Sequence, residues 1–315
     1  MTKLIIQIPC YNEEKNIGIT IPALPKKIKG IDVIETLIVD DGSTDNTIAS
    51  SKSFGVDHIV CLQKHQGLSS AFMAGIKACL EKGADIIVNT DADNQYDAAY
   101  ITELIQPILN KNAEIVIGSR SIEETAHFSY IKKKLQRFGS WVVRVCSNTD
   151  VPDATSGFRA FSRKAAMKLN VFSNYTYTLE TIIQAGQKGI PIISVPVKTN
   201  PPLRPSRLIT STPAYIYFSI VTIIRIFVVY RPFRFLASIG TIMFFLGSVL
   251  GFRFLYFYFF TASKSGHIQS LILTAILIIM GFQVFISAFL ADLISVNRKM
   301  LEDLKHELNN KKEIK

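Results

Sequence analysis

Two long apolar segments in the last third of the chain restrict the fold more than any other feature of the sequence. Residues 235–260 and 268–294 each carry a single charged side chain, Arg253 and Asp292, and are rich in Phe, Ile and Leu. Each segment exceeds the roughly 20 residues that an α-helix needs to cross the hydrocarbon core of a bilayer. The short polar link at 261–267 therefore predicts a hairpin of two transmembrane helices.

Basic residues flank the predicted hairpin at both of its ends. They are Arg225, Arg231, Arg234, Arg298, Lys299 and Lys305. An excess of Lys and Arg marks the cytoplasmic side of a membrane helix, so we expect both termini of this integral membrane protein to be cytoplasmic. We expect Arg253 to lie near the outer end of the first span and to extend toward that interface. A functional buried charge is the alternative.

The segment before the hairpin has a different pattern. A hydroxyl followed by proline, Thr212-Pro213, predicts a helix start. The helix is short for a span and carries Arg225, so we interpret it as lying in the membrane interface. A buried core helix is the alternative. The predicted parts of the chain are a cytosolic domain at 1–210, an interfacial helix at 211–234, two transmembrane helices within 235–296 and a cytoplasmic tail at 297–315.

The first 210 residues alternate short apolar runs with segments of helical periodicity. Predicted strands lie at 4–8, 35–39, 57–62, 84–89 and 114–117, and predicted helices at 13–28, 46–54, 69–82 and 98–110. This alternation predicts a mainly parallel sheet with helices on both faces. In such sheets, ligands bind beyond the carboxyl ends of the strands.

The net charge narrows the possible partners of the protein. The formal net charge of +10 requires an anionic partner or surface. The sequence of the soluble part shows no basic stripe interleaved with aromatic residues, so we do not expect it to bind nucleic acid. Basic clusters beside the apolar segments instead suit phospholipid headgroups and a phosphorylated substrate.

The four cysteines form no paired motif, so we expect reduced thiols.

Pairs of carboxylates end two of the predicted strands. Asp91 and Asp93 follow the apolar run at 86–88, and residues i and i+2 of an extended segment project to the same side. Their carboxylates suit one hard divalent cation, Mg²⁺ or Mn²⁺. An acidic, solvated loop is the alternative. Asp40 and Asp41 end another strand, where a plain turn with a helix cap is the alternative.

Four motifs together resemble glycosyltransferase family 2, and more narrowly its polyprenyl-phosphate hexosyltransferases, the group that includes dolichyl-phosphate mannosyltransferase. The motifs are Pro9-Cys10-Tyr11-Asn12-Glu13-Glu14, Val39-Asp40-Asp41-Gly42-Ser43, Asp91-Ala92-Asp93 with Gln95, and Asp153-Ala154-Thr155-Ser156-Gly157-Phe158-Arg159. The resemblance covers roughly residues 3–210. It implies an α/β fold, a Rossmann-like GT-A glycosyltransferase domain, here followed by a transmembrane hairpin.

The resemblance also implies roles on the donor side. The residues expected around the nucleotide are Pro9, Tyr11, Asn12, Glu13, Asp40, Asp41, Gly67 and Ala92. His65 stands where the family commonly has asparagine. Asp91, Asp93 and Gln95 are expected to hold Mg²⁺ or Mn²⁺, which would bridge the donor phosphates and stabilise the departing nucleoside diphosphate.

On the acceptor side, the resemblance implies a set of residues that hold a lipid phosphate. These are Arg120, Lys132, Gln136, Arg204, Ser206 and Arg207. The alternatives are ordinary binding of anionic lipid for Arg204 and Arg207, and a solvated face for Lys132–Lys134.

Asp153 falls where many inverting relatives carry their general base. A phosphate monoester is already mostly dianionic at neutral pH and can attack without losing a proton. We therefore expect Asp153 to orient cations or the sugar, and we place it with Asp91, Asp93 and Arg120 among the catalytic residues.

The predicted activity is inverting, metal-dependent transfer of a hexose from GDP-mannose or a UDP-hexose to polyprenyl phosphate at the cytoplasmic membrane face. One alternative is a family 2 enzyme with a hydroxyl acceptor on a glycolipid or polysaccharide, for which Asp153 would be indispensable. Another is a catalytically silent membrane scaffold. The sequence does not identify the sugar, the nucleotide or the prenyl chain, undecaprenyl or dolichyl. It is compatible with a homo-oligomer.

Overall fold

The computed structural model describes residues 1–120, 130–171, 177–201, 228–260 and 268–313, together with residues 217, 221, 224 and 225. The chain divides into two compact units, Met1–Ser219 and Ile220–Lys315.

The N-terminal unit is built on one sheet, which contains seven strands within the described residues. They are β1 (Lys3–Cys10), β2 (Val33–Asp40), β3 (His58–Cys61), β4 (Ile86–Asn89), β5 (Ile115–Arg120), β6 (Arg159–Ser162) and β7 (Ile192–Val197). Their order across the sheet is β3-β2-β1-β4-β6-β5-β7. All run in one direction except β6, which pairs antiparallel with both β4 and β5. The predicted mainly parallel α/β sheet is confirmed.

Helices connect these strands. They are α1 (Glu14–Ala23), α2 (Thr47–Ser53), α3 (Leu68–Glu81), α4 (Ile101–Leu109, after a 3-10 turn at Ala98–Tyr100), α5 (Tyr130–Ser147), α6 (Arg163–Lys168) and α7 (Thr178–Gln187). The first helix ends five residues earlier than predicted. Leu24 is extended, with φ −69° and ψ 142°, because it precedes Pro25 and the proline ring disfavours a helical conformation there.

The sheet is buried because its central strands are apolar on both faces. In β1, every residue from Leu4 to Cys10 is buried, as expected for a parallel strand covered by helices on both sides. Gln7 is the polar exception, and its Nε2 donates to Oδ1 of Asn89 at 2.9 Å. This buried bond joins the two central strands just before their carboxyl ends.

The C-terminal unit contains two further helices, α8 (Pro232–Phe260) and α9 (Ile268–Glu313). Pro232–Phe260 and Ile268–Arg298 have mean hydropathies of 2.0 and 2.4 and are long and apolar enough to cross a membrane. Glycines let the two helices approach closely, since a Cβ added at Gly240 would lie 3.0 Å from the carbonyl oxygen of Gly281. Small residues at such contacts are typical of membrane helix pairs.

A close contact between α5 and α7 generates a stability prediction. A Cβ at Gly186 would lie 1.8 Å from the carbonyl oxygen of Ser147, so Gly186→Ala forces the two helices apart. We expect a loss of about 1–3 kcal/mol in the free energy of unfolding, measured by thermal unfolding of the full chain in detergent.

Gly139→Ala in α5 is the matched control. A Cβ at Gly139 meets no atom within 4 Å, and alanine favours a helix over glycine by about 1 kcal/mol. This variant should be as stable as the parent or more so. Equal stability of the two variants would contradict the close packing.

Candidate active site

The carboxyl ends of four strands bring the sequence motifs to one edge of the sheet. Parallel pairing sets Cys10 opposite Asp40 and Gln7 opposite Asn89, so β1, β2 and β4 end at neighbouring places. Strand β5 runs in the same direction and ends at Arg120. The residues that follow these strands therefore line one edge.

The carboxylate of Asp41 organises the loop that precedes α3. Its two oxygens accept the backbone N–H groups of Gln66 and Gly67, each at 2.8 Å. The ring of His65 lies 2.9 Å from the same carboxylate. Gly67 has φ +93°, a conformation that favours glycine. Asp41 thus shapes the expected nucleotide pocket through the loop at 65–67.

Asp40 retains an acceptor that a ligand can use. One of its oxygens accepts the Ser43 N–H at 3.1 Å, which makes the predicted turn. The other, Oδ1, is buried and has no hydrogen-bond partner among the described residues. A buried acceptor without a partner costs free energy, so a donor group of a ligand would be favoured there.

The segment after β1 forms the facing wall. Pro9 lies opposite Val39, one residue before the end of β1, and the ring of Tyr11 stacks on that of His65 with centroids 4.0 Å apart. Asn12 has φ 55° and accepts the Thr44 N–H through its side chain. The buried Glu13 donates its N–H to the Thr47 hydroxyl at 2.9 Å. These contacts tie the first two motifs together and present an aromatic surface beside them.

The loop with the aspartate pair is held from two sides. The Thr20 hydroxyl of α1 donates to the carbonyl of Ala92 at 2.7 Å. Asn200 donates its side-chain amide to the carbonyl of Asn94 at 2.9 Å and its N–H to the carbonyl of Gln95 at 2.8 Å. The sequence gave no indication of Thr20 and Asn200, because neither residue belongs to a motif or to a recognisable spacing pattern.

The donor set of this loop fits a hard divalent cation. Burial, with the neighbouring charge of Asp93, raises the pKa of Asp91 to about 7, and a bound cation would stabilise its ionised form. Among the described residues, no three His, Cys, Asp or Glu side chains group into a complete cage. Two carboxylates with the Gln95 amide suit Mg²⁺ or Mn²⁺, which commonly take their remaining ligands from water and substrate phosphates.

Arg120 and Asp153 form a buried, bidentate ion pair. Nε and Nη2 of Arg120 donate to the two oxygens of Asp153 at 2.7 and 3.1 Å, and Nη2 also donates to the Thr155 hydroxyl. Burial alone would raise the pKa of Asp153, but the guanidinium holds it below its usual value. Within the described part of the chain, these bonds use Nε and Nη2 of Arg120 and leave Nη1 without an acceptor.

A buried layer supports the 153–159 motif. Arg159 is fully buried, and its guanidinium donates to the carbonyls of Ala154, Ser156 and Thr178 at 2.7–2.9 Å. Asn89 donates to the Tyr177 hydroxyl at 2.9 Å. The sequence motif includes Arg159, but spacing gave no sign that it supports the loop from below.

The acceptor-side residues are only partly covered. Lys132 and Gln136 lie in α5, but their side chains are outside the described residues. Arg204, Ser206 and Arg207 also lie outside them. Arg120 is therefore the one predicted acceptor residue with a described side chain.

Comparison with known proteins agrees with this geometry. The profile of glycosyl transferase family 2 matches residues 5–169, which include the carboxyl ends of all four strands that end at the site. The chain belongs to glycosyl transferase family 2. Its members transfer sugars, so this protein is a glycosyltransferase.

Two relatives cover most of the catalytic unit. The UDP-N-acetylglucosamine–dolichyl-phosphate N-acetylglucosaminyltransferase of Methanococcus voltae is 32% identical over 61% of this chain and 83% of its own length. The undecaprenyl-phosphate mannosyltransferase of Micrococcus luteus is 26% identical over 62% of this chain and 82% of its own length.

A solved structure shows the same fold. Glucosyl-3-phosphoglycerate synthase from Mycobacterium tuberculosis, crystallised with Mn²⁺, UDP and phosphoglyceric acid, superposes with a TM-score of 0.54. The match covers 70% of this chain and 78% of that one at 17% identity. The likeness confirms the GT-A fold of this family 2 enzyme.

The contact between Gly157 and Asp91 generates a prediction. A Cβ at Gly157 would lie 3.1 Å from both carboxylate oxygens of Asp91 and 3.0 Å from the Tyr177 hydroxyl. Gly157→Ala must displace Asp91 by a few tenths of an ångström, and we expect about a tenfold loss of glycosyl transfer. Transfer assays, with Gly139→Ala as the control that keeps its activity, measure the effect. Full activity of Gly157→Ala at unchanged stability would show that the position of Asp91 is not critical.

Proposed function

We propose that this family 2 glycosyltransferase moves a hexose from a nucleotide-diphosphate sugar to a polyprenyl phosphate at the cytoplasmic face of a membrane. The observation that carries the proposal is the Arg120–Asp153 pair, which places a fixed guanidinium at the carboxyl edge of the sheet. The same chain has two helices long enough to cross a bilayer. An anionic acceptor that is anchored in a membrane suits both the guanidinium and the two apolar helices.

The state of Asp153 favours a phosphate over a hydroxyl acceptor. A hydroxyl group needs a base to remove its proton, and an effective base has a pKa near the working pH. Asp153 has a lowered pKa and is occupied by a bidentate pair with Arg120. A phosphate acceptor needs no such base because it is already ionised.

The relatives support the acceptor class without fixing the sugar. One is named for a dolichyl-phosphate acceptor and UDP-N-acetylglucosamine, and the other for undecaprenyl phosphate and mannose. Both acceptors are polyprenyl phosphates. The donor and the prenyl chain are therefore questions for a transfer assay.

The site residues divide the work between donor and acceptor. In our proposal the nucleotide lies between the Tyr11 ring and the free Oδ1 of Asp40, along the wall formed by Pro9, Asn12, Glu13, Gly67 and Ala92. Asp91, Asp93 and Gln95 would hold Mg²⁺ or Mn²⁺, which when bound offsets the charge of the departing nucleoside diphosphate.

Arg120 orients the attacking phosphate in this proposal. Its Nη1 bonds a phosphate oxygen while Asp153 fixes the rest of the guanidinium, so that the acceptor approaches opposite the leaving group. One such displacement inverts the anomeric carbon. Lys132, Gln136, Arg204, Ser206 and Arg207 are proposed to complete the acceptor site, with the interfacial segment at 211–234 keeping it at headgroup depth.

A direct assay tests the reaction. The purified full chain in detergent is given a short polyprenyl phosphate and radiolabelled UDP-glucose, UDP-N-acetylglucosamine or GDP-mannose, each with Mn²⁺ or with chelator. We expect one donor to label the lipid, and chelator to abolish the label. Hydrolysis of a donor without labelling of the lipid would agree with a glycosyltransferase but would contradict polyprenyl phosphate as its acceptor.

A double-mutant cycle separates positioning from base catalysis. If Asp153 acts only through Arg120, Arg120→Ala should lower transfer about 100-fold and Arg120→Ala/Asp153→Ala should lose little more. Transfer rates of the two single variants and the double variant measure this coupling. Losses that multiply in the double variant would instead assign Asp153 an independent role and support the hydroxyl-acceptor alternative.

A further inference from the structure

Helix α5 has apolar side chains on its exposed face as well as on its buried one. Val142, Val143 and Cys146 are buried in the domain. On the exposed face, Phe138 and Trp141 are about half exposed, at 51% and 50%. Their rings stack with centroids 5.7 Å apart. Large aromatic side chains displayed in this way indicate a surface that is covered when the protein works.

The exposed apolar residues share their face with basic ones. Lys134 and Arg137 are exposed and stand at helical spacing from Phe138, Trp141 and Val145, so all five form one stripe along α5. The expectation that this domain has no basic stripe interleaved with aromatic residues was therefore wrong, because helical spacing brings together residues that are separate in the sequence. The helix contains five basic residues and no acidic one. We call these five side chains the α5 stripe.

We propose that the α5 stripe docks on an anionic bilayer surface, with Phe138 and Trp141 at the boundary between headgroups and acyl chains. A helix with aromatic residues beside lysine and arginine suits that boundary, because the rings take the apolar side and the cations meet lipid phosphates. The bilayer is already implied by α8 and α9. This proposal does not depend on which acceptor the enzyme uses.

Charge argues against a second copy of the chain as the occupant. In a two-fold contact the same surface meets itself, so Lys134 and Arg137 of both copies would be brought together. Like charges in such a contact are unfavourable, whereas anionic headgroups neutralise them. Charge complementarity therefore favours lipid.

The experiment uses a property of the sequence, since Trp141 is the one tryptophan in the chain. The emission of the full chain, excited at wavelengths that tyrosine does not absorb, therefore reports on the α5 stripe. The protein is reconstituted singly in nanodiscs of phosphatidylcholine with phosphatidylglycerol, with and without brominated phospholipid. We expect the emission to shift to shorter wavelength relative to detergent, to be quenched by bromine placed high on the acyl chain, and to resist iodide.

Two other outcomes would overturn the proposal. Emission that stays at the wavelength of a solvated indole and is quenched by iodide but not by bromolipid would show that the stripe faces water. Emission that resists both quenchers and changes with protein concentration in detergent would show that protein covers it.

A charge-reversal variant provides a second test. Lys134→Glu/Arg137→Glu should lose most of the bromolipid quenching in anionic nanodiscs. Lys77→Glu/Lys82→Glu, at an exposed position of α3 and at the exposed residue that follows it, changes the net charge equally and should retain the quenching. Equal quenching of the two variants would contradict a role for the basic residues in docking.

Discussion

A guanidinium that is fully buried must be satisfied by protein oxygens, and the candidate active site is arranged around this requirement at Arg159. Its donors are taken by three backbone carbonyls and the Thr181 hydroxyl. Two of these carbonyls belong to the 153–157 loop and one to the start of α7. Because a lost bond would leave a buried charge without a partner, the loop and the helix are fixed relative to the sheet.

This support serves the proposed donor and acceptor sides at once. At one end of the loop, Asp153 fixes Arg120 through two hydrogen bonds. At the other end, Gly157 packs against the carboxylate of Asp91. The two reactants of a transfer must be held in line, and here the groups proposed to hold them rest on one short segment. Ties from Thr20 and Asn200 fix the aspartate loop from the outside.

The two units solve the problem of apolar surface in different ways. The catalytic unit buries its apolar residues between the sheet and its helices. Helices α8 and α9 leave most of their apolar side chains exposed, which water does not favour and a bilayer does. Residues such as Phe245 and Phe252 are exposed because lipid, not protein, is their expected surroundings. In our proposal, lipid also covers the exposed apolar residues of the α5 stripe on the catalytic unit.

The sequence by itself determined the features that depend on neighbouring residues. Apolar runs gave β1 to β5, because buried parallel strands need few polar residues, and length gave the two apolar helices. The glycosyltransferase assignment came from motifs that stand at strand ends. Strands β6 and β7 and helices α5 to α7 were not predicted. Arg159–Ser162, for example, is short, contains an arginine and has no apolar run.

Only the tertiary structure decided which side chains act together. Arg120 and Asp153 are 33 residues apart, and Asn200 and Asn94 are 106 apart, so no local spacing reveals either pair. The same holds for Arg159, which a sequence shows as an ordinary charged residue and the fold turns into a buried support. Local patterns specify strands and helices because those depend on nearby residues, whereas the partners of a buried charge depend on how distant segments pack.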